Sequence, residues 1–272
     1  MHFSHLRLAQ FRCYPEGVIE PDRRFNVICG RNGQGKTSLL EAIGLLSHLK
    51  SFRGAKSAEM IAFSFDEGRV EGKLQHDDLK LDLAVRLYAG RRQATLNGKT
   101  CKFLSEYIRK VAAVSFSPTD LEIVRGSPEL RRGWIDRFVQ IFEPLHADVS
   151  TRFQKTLDQR NSLLRSLSEG KISTLPDDFS TWSESLVNLG AEVVHNRLQQ
   201  IQKAAEKVGE FYRQISGENA LITIQYKSSF MGELRCGQEA LNSLEQIGQT
   251  LKQSLEEKRL KECIFVFVSI NL

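Results

Sequence analysis

Residues 27–43 read VICGRNGQGKTSLLEAI and place three glycines, a lysine and a threonine between a short apolar run and a helical pattern. Gly30, Gly35, Lys36 and Thr37 match the G-x-x-x-x-G-K-[ST] motif, with a predicted strand before it and a predicted helix after it. Glycines allow the backbone to curl until successive N–H groups converge on one anion at the helix N-terminus. The stretch therefore predicts a phosphate-binding loop for a nucleoside triphosphate.

The motif assigns a task to each kind of residue in the loop. Lys36 is expected to reach the β- and γ-phosphates of ATP, and the Thr37 hydroxyl is expected to hold Mg²⁺. The alternative is a glycine-rich turn between a strand and a helix that carries an incidental lysine. The complete motif in its strand–helix context favours the nucleotide. The predicted ATP-binding set is Gly30, Arg31, Asn32, Gly33, Gln34, Gly35, Lys36 and Thr37.

Composition limits the class of protein. The 272-residue chain is long enough for one large domain or two smaller ones. Hydrophobic residues make up 41% of it, and no apolar run approaches the ~18 residues of a membrane span. The N-terminus has no signal-peptide pattern and the five cysteines are scattered, which predicts reduced thiols and a cytoplasmic location. The net charge of +5 permits a polyanionic partner without requiring one.

The chain up to about Gly126 is rich in predicted strands. FNVICG (25–30) and KVAAVSF (110–116) are short apolar runs of the kind that form buried strands. Asn97-Gly98 is a pair favoured in tight hairpin turns. Further strands are predicted for RVEGKLQ (69–75), KLDLAVRLY (80–88) and RQATL (92–96).

From Pro128 to about Arg259 the pattern is helical. Apolar residues recur every three to five positions between Leu186 and Phe211, which predicts a helix face that packs into a core. SEGKISTLPDDFS (168–180) is a turn-rich break between helices, and LITIQYK (221–227) predicts one short strand.

Four stretches resemble the RecF family of bacterial recombination and replication-repair proteins, within the wider class of SMC- and Rad50-like ATPases with an ABC-type head. SFRG (51–54) and GSPELRRGWID (126–136) narrow the resemblance from that class to RecF. The four stretches are LRLAQFRCY (6–14), NVICGRNGQGKTSLLEAIGLLSHLKSFR (26–53), VSFSPTDLEIVRGSPELRRGWIDRF (114–138) and YKSS (226–229).

The resemblance implies an α/β fold of the ABC/SMC type. Residues 1–126 are expected to form a P-loop ATPase lobe with antiparallel strands, and residues 127–260 an inserted, mainly helical domain. Residues 261–272 are expected to be an aberrant or truncated return to the ATPase sheet, so that the fold is incomplete at its C-terminus.

The resemblance also suggests roles for five residues outside the loop. Arg12 lies where SMC-like heads place an arginine near the nucleotide. An equal alternative is that Arg12 is a solvent-exposed residue at the end of a strand. Arg53 is expected to contact phosphate or DNA, or to form a structural ion pair. Arg131 and Arg132 are expected to contact a second subunit or DNA, or to lie on a solvated helix face. Asp120 lies near a loop that senses the γ-phosphate in ABC heads, or it stabilises a helix N-terminus.

As a RecF-like protein, the chain is expected to bind ATP and Mg²⁺ and to bind single-stranded, duplex or gapped DNA in replication and recombinational repair. The expected tasks are loading of recombinase and induction of the SOS response. The expected partners are RecO- and RecR-type repair proteins. The family forms an ATP-dependent homodimer, in which the phosphate loop of one subunit faces a signature segment of the other, and this chain is not expected to complete that dimer because it lacks the signature segment. No membrane partner is expected.

The sequence departs from the family after the helical domain. Relatives continue with a serine-glycine-glutamine signature and an apolar strand that ends in acidic residues, which position Mg²⁺ and the attacking water. Here residues 258–272 read KRLKECIFVFVSINL. Asp66-Glu67 follows the apolar IAFSF, but before the helical domain, and is interpreted as a strand-to-turn junction. We therefore expect a truncated chain that binds ATP without hydrolysing it, and no catalytic residue is predicted.

Two other functions remain open from the sequence. A P-loop kinase of a small substrate would use the same loop, but it would need a compact domain with a substrate lid. A protein-interaction remnant would not respond to nucleotide at all.

Overall fold

The computed structural model describes residues 1–76, 79–111, 113–217, 223–228, 230–235, 243–257 and 266–271. The chain divides into two compact units, Met1–Asp120 and Leu121–Leu272. The boundary expected after Gly126 lies a few residues beyond this division, and the assignment of an ATPase lobe and an inserted domain to these units stays a prediction. Within the described ranges, the helices include none that is both long and apolar enough to cross a membrane.

The first unit is built on a six-stranded sheet in which every neighbouring pair is antiparallel. The order across the sheet is β2-β1-β3-β4-β5-β6. Asn97 and Gly98 form the tight turn between β5 and β6 with positive φ values of 49° and 77°. The antiparallel strands predicted from the sequence are thus confirmed. The strands are β1 (His2–Phe11), β2 (Tyr14–Ile19), β3 (Glu67–His76), β4 (Leu79–Tyr88), β5 (Arg91–Leu96) and β6 (Lys99–Thr100).

Three helices complete the first unit: α1 (Lys36–His48), α2 (Ser57–Met60) and α3 (Leu104–Ile108). Helix α1 packs on β1, β3 and β4. Its Leu45 and Leu46 join one buried cluster with Leu8 and Val70 of the sheet. Burying each such side chain contributes about 1.5–3 kcal/mol. The core therefore fixes α1, and with it the end of the predicted phosphate loop, against the sheet.

Two predicted buried strands are wrong. FNVICG and KVAAVSF (Ala112 of which lies outside the described residues) are not in strands, and although Val111 is buried and Ile28 packs against the core, several of their apolar side chains face solvent. Phe25 and Val27 are 78% and 71% exposed, and Val114 and Phe116 are 91% and 84% exposed. The apolar pattern alone cannot make a strand, because a strand also requires a neighbour that pairs with its backbone.

The second unit is mainly helical, as predicted. Its α6 ends at Ser168 and its α7 begins at Phe179, so the predicted break between helices is confirmed. A short 3₁₀ helix, Pro118–Leu121, precedes it in the chain. The helices are α4 (Glu122–Arg125), α5 (Pro128–Phe142), α6 (His146–Ser168), α7 (Phe179–Ser216) and α8 (Leu244–Glu257).

The second unit also contains a three-stranded antiparallel sheet in the order β8-β7-β9. Its strands are β7 (Thr223–Ser228), β8 (Gly232–Arg235) and β9 (Val266–Asn271). Strand β7 confirms the predicted strand as far as it is described, since 221 and 222 lie outside the described residues. Strand β9 pairs with β7. The expected return of residues 261–272 to the ATPase sheet stays a prediction, and 261–265 and 272 lie outside the described residues.

The apolar face predicted on α7 is a core face. Val194, Leu198 and Ile201 of α7 cluster with Ile135 of α5 and Ile247 of α8. The predicted core face is therefore confirmed for these residues, whereas Phe211 at the end of the pattern is exposed.

A buried ionic network joins α5, α6 and α7. The Asp136 carboxylate accepts hydrogen bonds from Arg197 Nε at 2.7 Å and Nη2 at 2.9 Å, and His146 Nε2 lies 2.9 Å from its Oδ1. Burial alone would raise the pKa of Asp136, but the charge of Arg197 and the bond to His146 outweigh burial and hold that pKa well below its usual value. The network ties three helices together through one carboxylate.

Candidate nucleotide-binding site

The predicted phosphate loop is a turn whose shape depends on glycine. Gly33 and Gly35 have φ values of 83° and 87°, in the left-handed region that strains other residues. A Cβ atom on Gly35 would lie 2.6 Å from Cys13 Sγ and 2.9 Å from the Tyr14 ring. Gly35 is therefore required both by its backbone conformation and by the close approach of the turn between β1 and β2.

Side chains of the loop close it on itself. Lys36 Nζ donates to the carbonyl oxygens of Gly30 at 2.8 Å and Arg31 at 2.7 Å. The Gln34 Oε1 atom accepts the backbone N–H of Arg31 at 2.9 Å. These bonds hold the ammonium group and the loop backbone in one arrangement before any ligand arrives, which lowers the ordering cost of binding.

The start of α1 is open to an anion. Gly35 is the N-cap residue, its first turn receives no side-chain cap, and the first turn holds no acidic residue. The N–H groups there keep their capacity to bind an anion, and the helix dipole favours negative charge at this end. The Thr37 side chain on the same turn is exposed and offers a hydroxyl oxygen. These residues fit a triphosphate, with Thr37 as the candidate Mg²⁺ ligand.

The turn between β1 and β2, residues 10–14, lies directly behind the loop, and we call it the back turn. The Tyr14 hydroxyl donates to the carbonyl oxygen of Gly35 at 3.3 Å. Gln10 and Arg12 adopt positive φ values of 52° and 54° although neither is glycine. The backbone N–H of Arg12 donates to the Met60 carbonyl at 2.8 Å. The surrounding bonds therefore hold the back turn in a strained conformation.

Glu41, one turn into α1, is a fully buried carboxylate that sequence reasoning missed. Arg12 Nε and Nη2 donate to its two oxygens at 2.8 and 2.7 Å, and the Ser51 hydroxyl donates to it as well. Arg53 Nη1 lies 3.7 Å away. Burial raises the pKa of Glu41, but the bonds from Arg12 and Ser51 and the two positive charges outweigh it and leave that pKa lowered. The signal in the sequence was a single acidic residue within the apolar run LLEAI.

Three of the five residues suggested by the resemblance, Arg12, Arg53 and Asp120, lie in the first unit. Arg12 and Arg53 meet at Glu41, so both form structural ion pairs, and Arg12 is not a solvent-exposed strand end. The Asp120 carboxylate accepts the backbone N–H and the hydroxyl of Ser117 at 2.6 and 3.0 Å, within its own 3₁₀ turn. Contact of any of them with nucleotide, DNA or another subunit stays a prediction.

Arg131 and Arg132 lie on α5 in the second unit. Arg131 Nη1 donates to the Gly126 carbonyl at 2.9 Å, which fastens the start of α5. Arg132 Nη2 donates to Glu129 at 2.6 Å, one turn earlier on the same helix. Their described contacts are thus local to the helix, and the predicted contacts with DNA or a second subunit stay predictions.

Comparison with known proteins extends the resemblance to almost the whole chain. A family model described as an AAA domain matches residues 5–261. The DNA replication and repair protein RecF of Trichodesmium erythraeum is 30% identical over 274 residues, which is 96% of this chain and 70% of that protein. The chain belongs to the RecF family. RecF of Thermosynechococcus vestitus is 34% identical over 84% of this chain and 60% of that protein. The chain thus spans between 60% and 70% of the length of these two relatives.

Solved RecF structures agree with the fold. A structure of the recombination mediator protein RecF with ATP, in the RecFOR pathway, matches 99% of this chain and 73% of that one, with a TM-score of 0.85 and 26% identity. A second RecF structure, with ATPrS, has a TM-score of 0.84 over 99% of this chain and 74% of that one. The prediction of a RecF family member with an α/β P-loop ATPase fold is therefore confirmed.

Proposed function

We propose that this chain binds ATP at residues 30–37 and takes part in DNA replication and recombinational repair, as its RecF relatives do. The observation that carries the proposal is the uncapped N-terminus of α1 beside Lys36, in a loop already closed by its own hydrogen bonds. A RecF protein solved with ATP supports ATP as the nucleotide. Membership of the RecF family weighs against a small-molecule kinase.

The residues of the loop divide the work of binding. The N–H groups of the first turn of α1 would bind phosphate oxygens, and Lys36 would place its charge on the β- and γ-phosphates. The Thr37 hydroxyl would hold Mg²⁺, which would supply positive charge to offset the charge of the phosphates. Glu41 cannot serve as a base for water, because its carboxylate is buried and hydrogen-bonded. Binding without turnover is therefore the activity that we propose for these residues.

Replacement of Lys36 tests the ATP site. In wild-type protein, ATP at a hundred times its Kd should raise the free energy of unfolding by about 2.7 kcal/mol. Lys36→Ala should lose nearly all of this gain, since the phosphates lose their point charge, while its circular dichroism stays similar. The exposed Lys80→Ala in β4 is the matched control and should keep the gain. Equal gains in Lys36→Ala and wild type would exclude Lys36 as a phosphate ligand, and no gain in wild type would favour a nucleotide-independent role.

We further propose that the chain binds DNA, single-stranded and duplex or gapped, and works with RecO- and RecR-type proteins to load recombinase and to induce the SOS response. The net charge of +5 and the repair role of the RecF relatives support this proposal. Contacts with phosphates should make log affinity fall linearly with log salt, with little dependence on base sequence. Fluorescence anisotropy with two duplexes of unrelated sequence measures both properties. A folded sample that binds neither duplex at low salt would rule out duplex binding by this chain alone, and the same measurement with a single strand tests the rest of the proposal.

A further inference from the structure

The back turn is fastened to α1 at two points. Near the start of the helix, the Tyr14 hydroxyl bonds the Gly35 carbonyl and Cys13 Sγ lies against the Gly35 backbone. One and a half turns later, Arg12 forms two hydrogen bonds with Glu41. At 1.5 Å per residue, the two points are roughly 9 Å apart along the helix axis. The back turn and the first part of α1 therefore behave as one braced segment.

All three guanidinium nitrogens of Arg12 donate hydrogen bonds within the first unit. Its Nε and Nη2 atoms bond the two oxygens of Glu41, and its Nη1 atom donates to the Glu59 carbonyl at 2.6 Å. Nη1 and Nη2 each carry a second N–H, but if the whole guanidinium turned to a phosphate, the buried Glu41 carboxylate would lose two of its donors, and a buried charge without partners is costly. The position of Arg12 therefore suits a brace between the back turn and α1.

Arg53 is held less tightly at the same carboxylate. Its side chain is 45% exposed, and its Nη1 atom is 3.7 Å from Glu41, beyond hydrogen-bond distance. Its backbone N–H donates to the Ser51 hydroxyl at 3.0 Å, and Ser51 in turn donates to Glu41. The segment after α1 is therefore tied to Glu41 mainly through Ser51.

We propose that Glu41 is a positioning residue for the ATP site: through Arg12 it holds the back turn against Gly35 and so sets the shape of the phosphate loop. The inference rests on the proposed ATP binding and adds two residues to that site that do not contact the nucleotide. It predicts that loss of Arg12 or of Glu41 lowers ATP affinity to the same extent, because the ion pair that holds the back turn is broken in either case.

A double-mutant cycle separates a brace from a ligand. Glu41→Gln and Arg12→Gln should each weaken ATP binding about tenfold, and the double variant should bind no more weakly than either, because one brace is lost only once. The double variant leaves no buried charge without a partner, so it should fold even if one of the single variants does not. The matched control is Arg7→Gln with Glu16→Gln, an exposed pair at 2.8 Å on the same hairpin, which should leave ATP affinity unchanged.

Hydrogen exchange followed by peptide mass spectrometry reports on the brace without nucleotide. The back turn is closed by the backbone bonds from Arg12 N–H to Met60 and from Ala62 N–H to Gln10. Exchange at these two N–H groups should be faster in Glu41→Gln and in the double variant, and exchange in β4 should stay as in wild type. Lys36→Ala should leave all of these rates unchanged. Faster exchange in β4 as well would indicate general loosening of the fold, and that result would overturn the inference.

The outcomes of the cycle distinguish this inference from the function on which it rests. Wild-type protein that does not bind ATP would overturn the proposed function and the effect on affinity with it. Wild-type binding together with unchanged affinity in Glu41→Gln would overturn only the inference. Additive losses in Arg12→Gln and Glu41→Gln would do the same, since they would mean that Arg12 contacts the nucleotide itself.

Discussion

At the scale of single residues, the phosphate loop shows two separate reasons for glycine. Gly33 and Gly35 share nearly the same φ, 83° and 87°. A Cβ atom on Gly33 would meet nothing within 4 Å, whereas one on Gly35 would lie within 3.0 Å of Cys13 and Tyr14. The first glycine is needed for conformation alone, and the second for conformation and contact. A comparison of Gly33 with Gly35 can therefore distinguish the effect of backbone strain from that of a steric clash.

Alanine substitution should show this difference. Gly33→Ala should lower the free energy of unfolding by about 1–2 kcal/mol, the cost of a left-handed conformation. Gly35→Ala should lower the free energy of unfolding by more than Gly33→Ala, because the back turn must also move away. Gly35→Ala should also weaken ATP binding more than Gly33→Ala. Urea unfolding measures the first effect, and the ATP-induced rise in Tm measures the second. Equal losses of stability in the two variants would show that the contact with Cys13 and Tyr14 does not matter.

At the scale of elements, three helices of the second unit depend on one carboxylate. Asp136 on α5 bonds Arg197 on α7 and His146 on α6, and the pKa of Arg197 is raised because the nearby carboxylate outweighs the effect of burial. An ion pair of this kind adds little relative to an apolar replacement of both partners, but removal of one partner leaves a buried charge. The network therefore contributes more to the specificity of packing among α5, α6 and α7 than to the net free energy of unfolding.

Two consequences follow for Asp136. Asp136→Asn should cost about 3–5 kcal/mol of stability at neutral pH, since Arg197 is left unpaired. The folded pKa of Asp136 lies below its unfolded value of about 3.9, so its contribution is present above pH ~4 and is lost as pH falls through the folded pKa.

Chemical unfolding between about pH 2 and pH 7 measures both effects, with Asp158→Asn, an exposed carboxylate on α6, as the control. The acid-induced loss should be shallower in Asp136→Asn than in wild type or in the control. An unchanged acid profile in Asp136→Asn would mean that the network does not contribute to acid unfolding.

At the scale of the whole molecule, each unit has its own buried cluster and its own sheet. Short connections join β1 to β2 and join β3, β4, β5 and β6 in turn, but β1 also pairs with β3 across the segment that carries α1 and α2. In the second unit, β7 likewise pairs with β9 across the segment that carries α8. The two apolar segments around Phe25 and Val114 remain outside both sheets. The described part of the chain thus combines local hairpins with one distant strand pair in each sheet.

The sequence by itself determined the features that depend on neighbouring residues. The phosphate loop is a contiguous motif, the hairpin at Asn97-Gly98 needs two residues with positive φ, and α5 begins at Pro128, where the helical pattern of the sequence begins. The strands β3 to β5 and the core face of α7 follow from apolar periodicity over a few turns or residues. Each of these features can be predicted from a few residues that are close in sequence, because backbone conformation and burial of one face depend mainly on neighbouring residues.

Only the tertiary structure decided which distant residues meet. The partners of Glu41 come from positions 12, 51 and 53, and those of Asp136 from positions 146 and 197. The same dependence on distant neighbours explains why FNVICG and KVAAVSF were predicted as strands and are not, since an apolar run becomes a strand only when another strand pairs with its backbone. Ion pairs and sheet neighbours are set by how the chain folds back on itself, and no local pattern records that.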